Sequence, residues 1–281
     1  MDDRLRLIQR RGVQSGSPDD EARLLIERLR AGELTHEQVL VGAAAGFTSA
    51  SLVLGMTAEA AATEINGPPS VCNEYLFETV IDQVRIVGEL NNRLGWGFTL
   101  NDYLTLQLPT HQPAPGEHGL STLVLVPYLD TVQATFVGLW KAIQSRHANT
   151  DRWDQFKSDQ ANLRLLEGIT HPGKCLRWEA IDLAANWDQE NGIAPRDVRD
   201  PTSSPHAGIL AASAIHTRWV ESIDGESVPN VWVPGYECKN DGRWSVVPWL
   251  SFNQIGRLVR LVRLDDGFLS QFFAVPAFCP V

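Results

Sequence analysis

The stretch Arg243–Leu264, RWSVVPWLSFNQIGRLVRLVRL, decides how the chain folds. Its two ends are β-branched and aromatic runs of strand length, and the residues between them, NQIG, carry the Asn and Gly that turns favour. The pair predicts two neighbouring strands of an antiparallel meander. NVWVPGY (230–236) and FFAVPAF (272–278) extend that meander on either side, separated by KNDG and DDGF. Prolines 234, 248 and 276 fall inside the runs and favour edge strands or bulges, because proline cannot donate to a ladder. Strand alternation in GRLVRLVRL places Leu258, Arg260, Val262 and Leu264 on one face. Arg260 then interrupts an apolar face and calls for a carboxylate such as Glu179 or Glu237, or for a bound anion.

Upstream, LRWEAIDL (176–183) reads as a further strand, although Leu176, Ala180, Leu183 and Trp187 also recur at helical spacing. The segment SSPHAGILAASAIHTRWVESI (203–223) is helical, with Ser204 as cap and Pro205 in the first turn. Ile209, Ala212, His216, Trp219, Val220 and Ile223 fall on its buried stripe. His216 is therefore expected to be a hydrogen-bonded core residue. His206, in the first turn, is expected at the surface, where a neutral imidazole could act as acid, base or anion contact. The two histidines lie too far apart on one helix to share a metal ion.

The first third reads as short capped helices. SPDDEARLLIERLRAG begins with Ser17 and Pro18, carries acids in its first turn and stops at Gly32. Thr35 and Gln38 have capping-box spacing, and TAEAAATEI restarts at Thr57 before the NGPPS break (66–70). A longer helix is expected over 73–91 on the spacing of Leu76, Val80, Val84 and Val87. LPTHQPAPGEHG (108–119) reads as a surface loop or linker, and its His111 and His118 lack the neighbours of a metal site. LSTLVLVPYLDTVQATFVGLWKAIQSRH (120–147) is expected to give a buried apolar segment broken near Pro127, then an amphipathic helix. The expected fold is α+β: a helical array over 1–108, a linker over 109–119, and an α+β domain over 120–281. Within that domain, 120–170 is expected to be helical and 174–281 sheet-rich, with at least one packed helix.

With 281 residues, 43% hydrophobic, the composition is globular, and a net charge of -10 disfavours nucleic acid as a partner. The opening MDDRLRLIQRR has no apolar signal core and no later run approaches a membrane span, so a cytoplasmic protein with no membrane partner is expected. Four cysteines without a C-x-x-C spacing indicate no zinc site, and no cofactor motif is present.

Candidate chemistry concentrates in the connector DLAANWDQENGIAPRDVRDPTSSPH (182–206). Asp182, Asp197 and Asp200 with His206 are the catalytic candidates; Asn186, Arg199, Arg260, Tyr236 and Glu237 are the ligand-binding candidates. Asp and Asn also build turns, and RDVRDP can satisfy its own charges. The motifs LRWEAIDLAANW, DVRDP, SSPHAGILAASAIHTRWVESIDG, VPNVWVPGYEC and FFAVPAF together resemble the shared signature of a family of uncharacterised bacterial proteins. The resemblance covers roughly the last 110 residues and implies a common C-terminal module, with no activity, cofactor or catalytic residue attached to it. The expected role is non-catalytic binding of a protein partner or small ligand; the rival is a cytosolic hydrolase or transferase using the connector acids with His206. The enzyme reading requires these groups to converge in one concave pocket, and the binding reading has them scatter.

Overall fold

A computed structural model describes residues 17–65, 73, 75–152, 162–240 and 243–279. The protein is α+β, with its helices concentrated toward the N-terminus and its sheets mostly antiparallel. The chain divides into two compact units, Met1–Gly67 with Val80–Leu108 and Pro68–Thr79 with Pro109–Val281.

The first unit is helical: α1 (Pro18–Arg30), α2 (His36–Ala44), α3 (Thr48–Leu54), α4 (Ala58–Glu64), α5 (Val80–Leu94) and α6 (Leu100–Leu104). Local chemistry sets these boundaries. Pro18 opens α1, Asp19, Asp20 and Glu21 face its dipole, and Gly32 takes φ 69° just past its end. The Thr35–Gln38 capping box is formed, with Gln38 N–H donating to Thr35 Oγ1 at 3.2 Å and Thr35 N–H to Gln38 Oε1 at 2.8 Å. Thr57 caps α4 by accepting from Ala60 N–H at 3.2 Å. The NGPPS break lies outside the described residues. All of Val39–Ala44 is buried, and its small residues let α5 approach closely.

The helix expected from residue 73 starts at Val80 instead. Leu76 is buried as its spacing implied, and so is Phe77, but they lie in a turn in which both their N–H groups bond the Asn73 carbonyl. The Glu78 N–H is committed to His216 Nδ1 at 2.9 Å, which holds the backbone out of the helical path.

The second unit contains two sheets. One has the order β1 (Ser121–Tyr128), β4 (Cys175–Asp182), β10 (Ala277–Phe278). The other runs β2 (Asn149–Arg152), β8 (Leu258–Asp265), β7 (Arg243–Asn253), β5 (Asn230–Trp232), β9 (Phe273–Ala274), with β6 (Tyr236–Asn240) between β7 and β3 (Leu163–Leu165). The β7–β8 hairpin pairs Val246 with Asp265 through to Asn253 with Leu258, as the opening stretch predicts. LRWEAID is strand, not helix, and pairs along its whole length with β1, and Leu183 begins the turn that follows.

Four sequence expectations change here. Residues 120–170 are not helical throughout: they carry β1, β2 and β3 around α7 (Val132–Arg146). Pro127 lies inside β1 without breaking it, because β1 is an edge strand and can spare a donor. Pro248 sits in central β7, at the point where its neighbour on one side changes from β6 to β5, and its carbonyl accepts from Val233 N–H at 2.8 Å. Arg260 does not interrupt a buried face. Val259 and Leu261 are the buried residues of β8, while Arg260 is exposed and faces Asp151 of neighbouring β2 at 3.8 Å.

The segment 203–223 holds two helices rather than one, α9 (Ala207–Ile215) and α10 (Thr217–Ser222), following the short α8 (Pro195–Val198). His216 makes the break with φ -93°, ψ 67°. It is fully buried, with its ring edge-on to Phe77 at 5.2 Å, so its place in the core stands as expected. His206 is the N-cap of α9 and is only 5% exposed, which overturns its expected surface position. Gly235 lets the β5–β6 turn pack against the base of this side chain, since a Cβ there would press on His206 Cβ at 2.6 Å, and the rings of Tyr128 and Tyr236 cover the imidazole.

Candidate functional site

The described part of the second unit contains a cavity of about 500 Å³ beside β4. Strand β10 covers the far edge of β4 only at Ile181 and Asp182, with Cys279 N–H adding a bond to the Ala180 carbonyl at 3.0 Å. Beyond that point Arg177, Trp178 and Glu179 line the open space. Tyr128 and His206 contribute to its wall, as do the loop at Gly168–Pro172 and Pro201, Thr202 and Ser204 of the connector.

Glu179 is 4% exposed. Its Oε1 accepts a short hydrogen bond from the Tyr128 hydroxyl, 2.5 Å, from the directly neighbouring strand β1. Its Oε2 is buried without a partner among the described residues. Burial pushes this carboxyl up to about 7, while the Tyr128 bond and the Arg177 charge act in the opposite direction. The Tyr128 hydroxyl is itself raised, by burial first and by the Glu179 charge next.

His206 lies between two tyrosine rings, Tyr128 at 5.4 Å and Tyr236 at 5.6 Å, and neither of its nitrogens has a partner among the described residues. Burial drives its pKa down to about 4, so the imidazole is neutral near pH 7, one nitrogen a donor and the other an acceptor. Behind it the Tyr236 hydroxyl is also buried and unpartnered. His171 is fixed: its Nδ1 accepts from Gly173 N–H at 3.1 Å, so its Nε2 carries the proton that faces Thr135 Oγ1 at 3.0 Å.

The connector acids do not join this group. Asp182 Oδ1 accepts from Ala184 N–H at 3.0 Å, closing the turn after β4. Asp197 is an exposed neighbour of Arg196 at 3.7 Å. Asp200 Oδ1 holds both the Thr202 N–H and its hydroxyl at 2.6 Å, and these bonds keep its pKa below the usual range. Asn186 Nδ2 is spent on the Val275 carbonyl at 2.8 Å. Arg199 and Glu237 pair with each other at 3.0 Å within an ion network, and Arg260 points elsewhere. Of the candidates, His206 reaches the cavity and Tyr236 packs against it. Tyr128, Arg177 and Glu179 were not singled out as site residues. The one available signal was Glu179 as an acid among the apolar residues of WEAI.

The buried histidines set an acid limit on stability. His206 and His216 are held at about 4 and about 3, below their ordinary 6.5, so an unfolded chain takes up their protons first as pH falls through 6.5. Each contributes stability that is complete above 6.5 and is lost toward its folded value. Glu179 opposes them between 4.5 and about 7, where the folded state keeps a proton that the unfolded state has released. The two histidines outweigh the one carboxyl, giving a slope of about 1 kcal/mol per pH unit below 6.5. Urea denaturation across this range should show the decline, and His216→Leu should flatten it. An unchanged slope in that variant would remove His216 as a cause.

No family model, curated protein or solved structure matches the chain. Among the described residues, no helix is long and apolar enough to cross a membrane, and no group of His, Cys, Asp and Glu side chains is placed to hold a metal ion.

Proposed function

We propose that the protein binds a small polar molecule in the cavity beside β4. The observation that carries this is the pair of unsatisfied buried groups on its wall, Glu179 Oε2 and the His206 imidazole. An unpaired buried polar atom costs about 1 to 3 kcal/mol, and a ligand that bonds to it recovers that energy. A volume of about 500 Å³ falls in the range of small-molecule sites. The rival hydrolase or transferase draws no support from the connector, since Asp182, Asp197 and Asp200 hold their own turns or ion pairs, each apart from His206.

Thr170 is exposed on the cavity loop and makes Thr170→Trp a blocking variant. A library of polar fragments, screened by protein-observed NMR at about 1 mM, should shift the indole N–H of Trp178 in the wild type and lose that effect in Thr170→Trp. Hits that shift Trp178 equally in both proteins, or a complete lack of hits, would sink the proposal.

A further inference from the structure

Resting on that reading, we propose that the cavity takes a zwitterionic ligand, with its ammonium group on Glu179 Oε2 and its anionic group on the Arg177 guanidinium. Among the described lining residues, these two are the side chains of opposite charge. His206 is neutral because burial lowers its pKa, and the Cys279 thiol is held neutral by a pKa pushed up to about 11. A purely anionic ligand would meet Glu179, and a purely cationic one would meet Arg177. A molecule carrying both charges complements both.

The strand sets the spacing. Residues two apart on β4 share a face, so Arg177 and Glu179 project to the same side about 7 Å apart along the strand. Arg177 is exposed and Glu179 buried, which places the cationic end of the site outward and the anionic end inward. Arg177 has no partner at ion-pair distance among the described residues.

Glu179 is prepared for a cation in particular. Tyr128 occupies Oε1 and leaves Oε2 buried without a partner among the described residues. Gly208, in the first turn of α9, leaves room for that oxygen: a Cβ at 208 would collide with Oε2 and with Ile181 Cδ1. The carboxylate thus sits beside the start of a helix, where unpaired N–H groups favour negative charge. A buried carboxylate with one hydrogen bond and no counter-ion at contact distance is under-compensated, and an ammonium supplies both the charge and the donor that a neutral group supplies only in part. Tyr128, whose hydroxyl bonds Glu179 and whose ring packs on His206, lines the same space and offers aromatic surface to a cation.

The groups facing Glu179 are Tyr128 on β1, Cys175 and Arg177 on β4 and Tyr236 on β6, with His206 at the head of α9 packed on both tyrosine rings. Burial pushes the Glu179 carboxyl itself up to about 7. Ammonium binding should therefore strengthen as pH rises through about 7, and a ligand accepting a proton from neutral Glu179 should do the reverse.

The test uses probes on one carbon skeleton: γ-aminobutyrate, butylamine, butyrate and butanol, titrated into the full chain with the Trp178 indole as reporter. The expected order is γ-aminobutyrate first, butylamine about tenfold weaker, and no saturable shift from butyrate or butanol. Arg177→Gln should reduce γ-aminobutyrate to the level of butylamine and leave butylamine unchanged; Glu179→Gln should abolish both. If Glu179→Gln fails to fold, the wild-type order and Arg177→Gln still decide. Butyrate or butanol binding as tightly as the amines, an inert Arg177→Gln, or binding of none of the probes overturns the assignment. Butanol binding that disappears in Thr170→Trp would leave the cavity reading standing without the zwitterion. Probe binding indifferent to Thr170→Trp would remove both.

Discussion

Gly88→Ala is expected to destabilise the N-terminal unit by about 2 to 4 kcal/mol, even though alanine is the better helix former by about 1 kcal/mol. Gly88 lies mid-way along α5, and a Cβ at this position would overlap the Ala45 carbonyl oxygen and press on the Ala45 carbonyl carbon and Cα at 2.8 Å. Those atoms are main chain, at the C-cap of α2, and are held by the Ala45 N–H bond to the Val41 carbonyl at 3.0 Å. No side-chain rotation relieves the contact, so the helices must separate and lose packing around Val84 and Val87, both fully buried. Gly42→Ala is the control. Its Cβ meets the Leu100 Cδ1 atom at 2.6 Å, the end of a side chain that can turn aside, and the expected cost is about 1 kcal/mol or less. Hydrogen exchange of the α5 amides reads this unit directly. Equal protection in Gly88→Ala and wild type would show that the close approach does not hold.

How far the sequence reveals this molecule depends on how local each determinant is. The capping box at Thr35 and Gln38 spans three residues and is visible at once; the β7–β8 hairpin needs only its own alternation and turn. Arg260 was misplaced because alternation puts Arg260 alone on one face and both Arg257 and Arg263 on the other, so the face with fewer charges reads as the buried one. Asp151, on a strand more than a hundred residues earlier, resolves the choice. His206 was misplaced for a related reason. Its burial comes from the approach of Gly235 and from the rings of Tyr128 and Tyr236, not from any pattern within its own helix.

The cavity was the least legible part. Glu179 stands out in WEAI only as one acid among apolar residues, and its meaning comes from Tyr128, 51 positions away, and from the missing Cβ of Gly208. The connector drew attention because it is rich in Asp and Asn, and those residues turned out to be spent on turns. Its contribution is positional: it carries Pro201, Thr202 and Ser204 to the cavity wall.

That positional role makes Arg199→Leu the second large effect, with an expected loss of about 3 kcal/mol. The Arg199 side chain is 10% exposed and bridges Glu237 at 3.0 Å and Asp266 at 2.8 Å. Glu237, on β6, also takes Arg164 of β3 at 2.8 Å, so the guanidinium ties the connector to the sheet through shared carboxylates. Removing it leaves Asp266 without this buried cation and Glu237 with one arginine instead of two, and the exposed Arg164, at 44%, is the weaker of them. Asp266 already has its pKa raised by burial, with Arg199 the first influence against that rise, so the variant should take up a proton at Asp266 at higher pH than the wild type does. Both contacts come from the one nitrogen Nη2, so Arg199→Lys, which keeps the charge and a single donor nitrogen on a shorter side chain, should recover part of the loss. Because Pro201 follows Arg199 by two residues, the same variant should weaken γ-aminobutyrate binding without touching Arg177 or Glu179. Thermal or chemical denaturation measures the first effect, and the Trp178 indole titration measures the second. A stable Arg199→Leu protein with wild-type binding would mean that the connector is held in place by its own turns at Asp200 and Ser204, and that the ion network is incidental to the site.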